Sequence, residues 1–286
     1  MDSASQMRVS LIVATVGRVD ELGRLLASLD TQSFRNFELI IVDQNPDDRL
    51  FALVEFYKSR FAILHLRSSI GLSRARNTGL RHFQGDVVAF PDDDCWYSPT
   101  LLESIVTLFG KNTNWDGLTG RIVNELNSVS GDARFDTGSG YVTLSNLWRR
   151  VCSATIFFTR ETVEAIGNFD EELGLGAGTP WGGAEDIDYP ARAIKAGRKI
   201  FYDPKICVFH PDVSADARTD GLRRAYSYGA GIGRVWMKQK FPPTVIGYYL
   251  LRPLVGVCVC LVTGRWMQAR YRWAAFQGRL SGLMSR

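Results

Sequence analysis

Four short apolar runs in the first hundred residues, RVSLIVA (8–14), FELIIVD (37–43), AILHLR (62–67) and DVVAFPD (86–92), are separated by stretches with helical spacing. This alternation constrains the fold more than any other feature. Strands joined by helical crossovers run parallel within one sheet, an α/β architecture. Leu22, Leu25, Leu26 and Leu29 recur every three or four residues and predict the first crossover helix. Leu50, Leu53, Val54 and Phe61 predict the second with looser spacing. Strands that are apolar without alternation are covered on both faces, and ligands of such sheets bind beyond the carboxyl ends of the strands. That rule selects Thr15 to Arg18, Asp43 to Asp48 and Asp92 to Asp94.

Further along, Leu101 to Phe109 predicts a helix, GDARFDTGSGYVTLSN (131–146) a polar, glycine-rich loop, and SATIFFTR (153–160) a strand. EDIDYPARAIKAG (185–197) predicts a helix ended by Gly197, and KIFYDPKICVFH (199–210) two short strands around a proline turn.

The chain has 286 residues, 45% hydrophobic and 22% charged, enough for one large domain or one domain with an appendage. Its five cysteines, Cys95, Cys152, Cys207, Cys258 and Cys260, form no CxxC pair and no zinc spacing, which points to a reducing, cytosolic setting. The amino-terminal MDSASQMRVSLIVATVGR shows no secretion-signal pattern.

Charge divides the chain. Residues 1–220 hold 23 Lys and Arg and all 30 Asp and Glu, whereas residues 221–286 hold 11 basic residues and no acidic one. The expected division is therefore a catalytic domain over 1–220 and a basic, hydrophobic helical extension over 221–286. In the extension, VIGYYLL and LVGVCVCLVTG are separated by Arg252 and Pro253. An Arg near the centre disfavours a membrane span, and the flanking RWMQARYRW suits an interfacial segment on anionic lipid. The competing expectation is a hydrophobic hairpin packed on the domain.

Asp92, Asp93 and Asp94 emerge where a buried strand meets the ligand edge. They could cap a following helix or act as a general acid and base, although adjacent residues do not give the carboxyl separation glycosidases need. They could also hold a hard divalent cation, Mg²⁺ or Mn²⁺, with positions left for substrate phosphates. Position and clustering favour the cation. Asp43 could accept a hydrogen bond from a nucleobase ring N–H, with Thr15 to Arg18 supporting the base or ribose. SIGLSRARNTGL (69–80) offers a helix opening with Arg74 and Arg76 for a diphosphate. No GxGxxG or GxxxxGK pattern occurs.

In GGAEDIDYPAR (182–192), Ile187, Ala191 and Ile194 predict the buried stripe, leaving Glu185 and Asp186 at the exposed opening of the helix. Asp188 and Arg192 are spaced for an ion pair. A transfer reaction needs a base for an incoming hydroxyl, and Asp186 is the first candidate, Glu185 the second.

Three segments together resemble glycosyltransferase family 2, inverting nucleotide-sugar-dependent enzymes with the GT-A fold: VSLIVATVGRVDELGRLLASLDTQSFRNFELIIVDQ, GLSRARNTGLRHFQGDVVAFPDDDCW and GNFDEELGLGAGTPWGGAEDIDYPARAIKAGRKIFYDPKICVFHP. The resemblance covers roughly residues 8–212. It implies a DxD metal site at Asp92 and Asp94 with Asp93 adjacent, a nucleotide-contacting role for Asp43, and a catalytic-base region at Glu185 and Asp186. His210 resembles a position that completes the metal or diphosphate site in some GT-A enzymes. The chain departs from the family where PTYNR and VDDGSTD are common, reading ATVGR and VDQNPDD instead.

The expected reaction is inverting transfer of a sugar from a nucleoside diphosphate sugar to an acceptor hydroxyl, in polysaccharide or glycolipid synthesis. Thr15, Arg18, Asp43, Arg76, Asp92 and Asp93 would bind the donor; Asp92, Asp94 and His210 the metal; and Trp181, in GAGTPWGG, the saccharide or lipid-linked saccharide acceptor. The enzyme is expected at the cytoplasmic face of the membrane, without nucleic acid as a partner. Two alternatives remain: a nucleotidyl or phosphoryl transferase using the same edge and metal, and a non-enzymatic membrane-binding module.

Overall fold

Seven residues of β1 (Val9–Thr15) and seven of β2 (Phe37–Asp43) run parallel in register, and every β2 residue is buried, as the unbroken apolar runs require. The structure, a computed structural model, describes residues 7–126, 135–211 and 219–285. Residues 1–6 of the amino-terminal stretch and 131–134 of the glycine-rich loop lie outside these. The chain divides into two compact units, one of Met1–Ile70, Arg74–Asn168 and Ala193–Val213, the other of Gly71–Ser73, Phe169–Arg192 and Ser214–Arg286.

The first unit holds the sheet. Helix α1 (Asp20–Asp30) buries Leu22, Leu25, Leu26 and Leu29, and α2 (Phe51–Lys58) buries Val54, each crossing between parallel strands. Strand β3 (Ala62–Arg67) pairs with β2; α3 (Leu72–Leu80) follows, and β4 (Val87–Ala89) pairs with β1. After α4 (Leu101–Lys111) come β5 (Gly117–Val123), the two-residue β6 (Gly140–Tyr141), β7 (Phe157–Thr159), α5 (Arg160–Ile166), α6 (Glu185–Lys195) and β8 (Ile200–Phe209). The strand order is β3-β2-β1-β4-β7-β5-β8-β6, with β7 antiparallel to both neighbours and β6 antiparallel to β8.

Three strand expectations are corrected. Pairing of β4 ends at Ala89 rather than continuing through residue 92, and Pro91 has no N–H to donate to a ladder. Ser153–Thr155 closes a short 3₁₀ turn, so only Phe157–Thr159 is strand. The two strands expected around Pro204 are one, β8. Its partners jump from Thr119↔Tyr202 to Arg121↔Cys207, and Pro204 sits in the skipped segment where no ladder donor is needed.

The second unit is largely helical: α7 (Thr219–Lys238), α8 (Pro243–Val262) and α9 (Trp266–Met284). Arg252 and Pro253 do not divide the apolar stretch, because α8 runs through both. Pro253 withholds the N–H that would bond the carbonyl of Tyr249, and Arg279 of α9 donates to that carbonyl instead. Helices α7 and α9 pack backbone to backbone. A Cβ at Gly278 or Gly282 would collide with the carbonyls of Tyr226 and Ala230.

Candidate active site

Register brings Thr15, Asp43 and Arg67 side by side at the carboxyl edge of β1, β2 and β3. Asp43 is fully buried. Its Oδ1 accepts from the Asn45 backbone N–H at 2.8 Å and Nδ2 at 2.7 Å, while Oδ2 lies 3.0 Å from Arg67 Nη1 and 3.1 Å from His65 Nε2. Arg67 also donates to the carbonyls of Asn45 and Asp47, and Asn45 Oδ1 accepts from the Gly17 N–H at 2.7 Å. The carboxylate read as a nucleobase acceptor thus organises the loops after β1 and β2.

Each of the three adjacent aspartates faces a basic side chain, and Asp93 and Asp94 share one. Asp92 Oδ1 is 3.2 Å from the Nη2 of buried Arg76, and Ser153 Oγ approaches both Asp92 oxygens at 3.2 and 3.1 Å. Arg18 Nη1 lies 2.6 Å from both Asp93 Oδ1 and Asp94 Oδ2. The other Asp94 oxygen faces His210 Nε2 at 3.2 Å.

Loss of water raises the Asp92 carboxyl above its ordinary range despite Arg76, and raises Asp93 despite Arg18. Burial acts in the same sense on Asp94, but the hydrogen bond and charge of His210 and the charge of Arg18 outweigh it and hold Asp94 low. His210 is the reciprocal case: burial would lower it, and Asp94 raises it.

The placement of His210 follows from β8. Trp96 and Phe209 exchange backbone hydrogen bonds at 3.0 Å and stack with ring centroids 5.6 Å apart. Arg24 of α1 lies over the Trp96 ring at 4.1 Å and reaches the Asp94 carbonyl at 3.4 Å. This clamp sets the residue after Phe209 against the residue two before Trp96.

Residues 10–161, just over half of the chain, match the family model of glycosyl transferase family 2. The chain belongs to that family. This family 2 glycosyltransferase is 24% identical over 259 residues to glycosyltransferase AglE of Haloferax volcanii, covering 87% of this chain and 80% of that protein. It is 30% identical over 125 residues to the UDP-Glc:alpha-D-GlcNAc-diphosphoundecaprenol beta-1,3-glucosyltransferase WfgD of Escherichia coli, covering 43% of this chain and 49% of that one. A match to an uncharacterized glycosyltransferase of Haemophilus influenzae, 32% identical over 106 residues, spans 37% of this chain and 36% of that protein's length. Among solved structures, the mannosyltransferase PcManGT of Pyrobaculum calidifontis, in complex with GDP-Man and Mn²⁺, superposes with a TM-score of 0.66 at 16% identity, over 96% of this chain and 87% of that one. The fold is GT-A.

The donor set of this glycosyltransferase can be weighed against a divalent ion. Among the described residues no three His, Cys, Asp or Glu side chains are grouped to hold a metal. Asp94 and His210 supply two donors, a carboxylate oxygen and an imidazole nitrogen, while the hydrogen-bond partners of Asp92 are Arg76 and Ser153. Two protein donors fit an ion that draws its remaining ligands from phosphates and water, and do not make a self-sufficient cage.

The base candidates and Trp181 lie in the second unit. Glu185 is buried and Asp186 half-buried at the start of α6, a correction to the expected exposed opening. Within this unit the Glu185 carboxylate lies against Gly174, and α7 packs on the residues just before the pair: Gly183 lies against the Tyr228 ring, and the Gly182 N–H donates to Ser227 Oγ at 2.9 Å. Ala184, just before the pair, holds φ at 70°, a strained left-handed value for a residue with a Cβ. Pro190 withholds the N–H that would bond the Asp186 carbonyl. Buried Asp188 pairs with Arg192 at 3.0 Å, as its spacing predicts, and accepts from Gln239 at 2.7 Å. Trp181 is half-buried with the Arg234 guanidinium 4.3 Å from its ring centroid.

Several site residues have weak sequence signals. His65 and Arg67 share a face of β3 by alternation, a pattern that could have flagged them as partners of Asp43. Arg24, Trp96, Asn45 and Ser153 carry no such signal, because their roles depend on tertiary placement.

Proposed function

We propose that this glycosyltransferase moves a sugar from a nucleoside diphosphate sugar to an acceptor hydroxyl with inversion at the anomeric carbon. The observation that carries the reading is the set of carboxylates at the sheet edge held in ion pairs with Arg18, Arg76 and His210. Such a site combines cations suited to a diphosphate with oxygen and nitrogen donors suited to a divalent ion. The complex of PcManGT with a nucleotide sugar and Mn²⁺ supports the same donor class.

In this reading Thr15, Arg18, Arg76, Asp92 and Asp93 contact the donor, and Asp43 holds Asn45, His65 and Arg67 in place around the nucleoside. Asp94 and His210, with Asp92 beside them, would hold Mg²⁺ or Mn²⁺, which supplies charge neutralisation for a departing diphosphate. Asp186 takes the proton of the acceptor hydroxyl as its oxygen bonds to the anomeric carbon; the bond to the diphosphate oxygen breaks and its electron pair leaves with the phosphate. Glu185 is the second candidate for that role. Trp181 offers an aromatic face to the acceptor sugar.

We assign the donor chemistry to residues 1–220 and membrane association to residues 221–286, with the enzyme peripheral on the cytoplasmic face. The absence of acidic residues after 220 and the apolar length of α8 support this, as does the lipid-linked substrate in the name of WfgD. A saccharide or lipid-linked saccharide is the corresponding acceptor class.

The test is a panel of nucleotide sugars incubated with the full chain and Mn²⁺ or Mg²⁺, with released nucleotide identified by chromatography. A nucleoside diphosphate is expected. Release of pyrophosphate would replace this reading with nucleotidyl transfer.

A further inference from the structure

Helix α8 has 20 residues, and its most apolar 18-residue stretch has a mean hydropathy of 2.0 with only 17% of it buried. At 1.5 Å per residue it is about 30 Å long, the thickness of a bilayer's hydrocarbon core. Length and composition alone therefore permit a crossing. The placement of arginines argues against one. Arg252 is exposed at the middle of the helix. Arg279 of α9 donates to the Tyr249 carbonyl. Arg272 of α9 lies beside Gly256, where a Cβ would meet its Cδ at 2.6 Å and its Nη1 at 2.9 Å. Tyr249, Arg252 and Gly256 span about two helical turns around the centre of α8. A crossing α8 would thus carry three guanidinium groups within roughly 5 Å of the bilayer midplane, among the least tolerated positions for Arg.

The faces of α8 fit a different orientation. Val245, Tyr249, Pro253 and Cys260 are buried within the unit. Tyr248, Leu251, Val255, Val259 and Val262 are 64%, 56%, 64%, 57% and 88% exposed, and their spacing of three and four residues puts them on one stripe. Trp266 and Met267, also exposed, follow at the start of α9. Every charged residue from 221 onward is basic, Arg252, Arg265, Arg270 and Arg272 among them. An apolar stripe edged only by cations matches an anionic bilayer surface, with rings and aliphatic chains entering the acyl boundary and guanidinium groups staying at headgroup level.

Resting on the membrane reading above, we infer that α8 lies in the plane of an anionic membrane. Its Tyr248, Leu251, Val255, Val259 and Val262 stripe and Trp266 are inserted into one leaflet, and neither end of the helix crosses.

The test uses the purified full chain with vesicles of phosphatidylcholine alone or mixed with phosphatidylglycerol. Flotation with the anionic vesicles is expected, at least about tenfold above neutral ones and weakened by raising salt from about 0.1 to about 0.5 M. The double substitution Val255→Asp/Val259→Asp should cut flotation about tenfold or more while circular dichroism and thermal unfolding stay unchanged, since both side chains are exposed.

Orientation is read separately. With Cys258→Ser as background, Thr244→Cys and Thr263→Cys probe the two ends of α8 on bound vesicles with a membrane-impermeant maleimide added outside. Labelling of both ends without detergent is expected. Protection of either end until detergent is added means α8 crosses, and overturns the in-plane orientation while leaving membrane association standing. Absence of flotation with both vesicle types removes the membrane reading itself. Self-association by sedimentation that Val255→Asp/Val259→Asp abolishes, without flotation, would assign the stripe to a second copy of the chain and overturn the inference.

Discussion

Asp94 Oδ1 lies 3.2 Å from His210 Nε2, and each partner shifts the other's titration in its own favour. His210 is raised from 6.5, so its contribution to stability is fully present below 6.5 and is lost as pH rises through the raised folded value. Asp94 is lowered from 3.8, so its contribution is present above 3.8 and is lost as pH falls through the lowered folded value. The pair therefore stabilises most fully between these two limits. In chelator and without donor, the melting-temperature gap between the parent and His210→Gln should be wide at about pH 5.5 and narrow by about pH 8.5. A gap that stays constant over this range would show that protonated His210 does not stabilise the fold through Asp94.

Arg76 is almost fully buried and Asp92 partly so, which makes their pairing more consequential than the surface ion pairs. Removing one partner of such a pair leaves an uncompensated charge. Arg76→Met is expected to cost about 3 kcal/mol in urea unfolding, and Arg76→Met/Asp92→Asn to recover more than half of it. No recovery in the double variant would mean that Arg76 stabilises through packing or through other contacts.

The first half of the fold was legible because the periodicities were unambiguous. Leu22, Leu25, Leu26 and Leu29 could bury together only on a helix, and residues 9–13 and 37–43 only in a doubly covered sheet. The misreadings came where a tertiary partner overrode a local signal. Pro204 reads as a turn between strands, yet β5 simply skips the bulged residues; Pro253 reads as a break, yet Arg279 supplies the hydrogen bond it removes. At the site, the acidic residues were visible by clustering, whereas their cationic partners Arg18 and Arg76 lie 75 and 16 positions away from Asp93 and Asp92. Glu185 was read as exposed, yet it is buried, with its carboxylate against the loop that carries Gly174, a contact that helical spacing within α6 does not signal.

The seam between α7 and α9 depends on the absence of side chains at Gly278 and Gly282, whose neighbours are backbone carbonyls that cannot move aside. Gly282→Leu should destabilise the second unit by about 1–3 kcal/mol or more, seen as earlier loss of α-helical signal on heating. An unchanged melting profile would mean the two helices can part without cost.

Trp181 has Arg234 over one ring face. If the ring is the acceptor platform, Trp181→Ala should raise the acceptor KM about tenfold, in line with a lost stacking contact, with hydrolysis of the donor in water unchanged. Arg234→Gln should act in the same direction but less, by loosening the ring. Loss of donor hydrolysis in Trp181→Ala would place the ring on the donor side.

The base assignment separates most cleanly by experiment, because the two candidates adjoin each other and differ in burial. Glu185 is buried against the loop that carries Gly174, whose Cβ position lies 3.1 Å from Glu185 Oε2, while Asp186 is half-buried and so more open to an incoming hydroxyl. Asp186→Asn keeps the size and most hydrogen-bonding capacity of the side chain but cannot accept the proton. Transfer should fall about 10²- to 10⁴-fold, while donor affinity measured by calorimetry stays close to that of the parent. Glu185→Gln should lower stability more than turnover, because its carboxylate is enclosed. Retained transfer in Asp186→Asn together with loss in Glu185→Gln would move the role to Glu185. Loss in both with normal folding would mean that the pair acts as one unit, the buried carboxylate orienting the one that takes the proton.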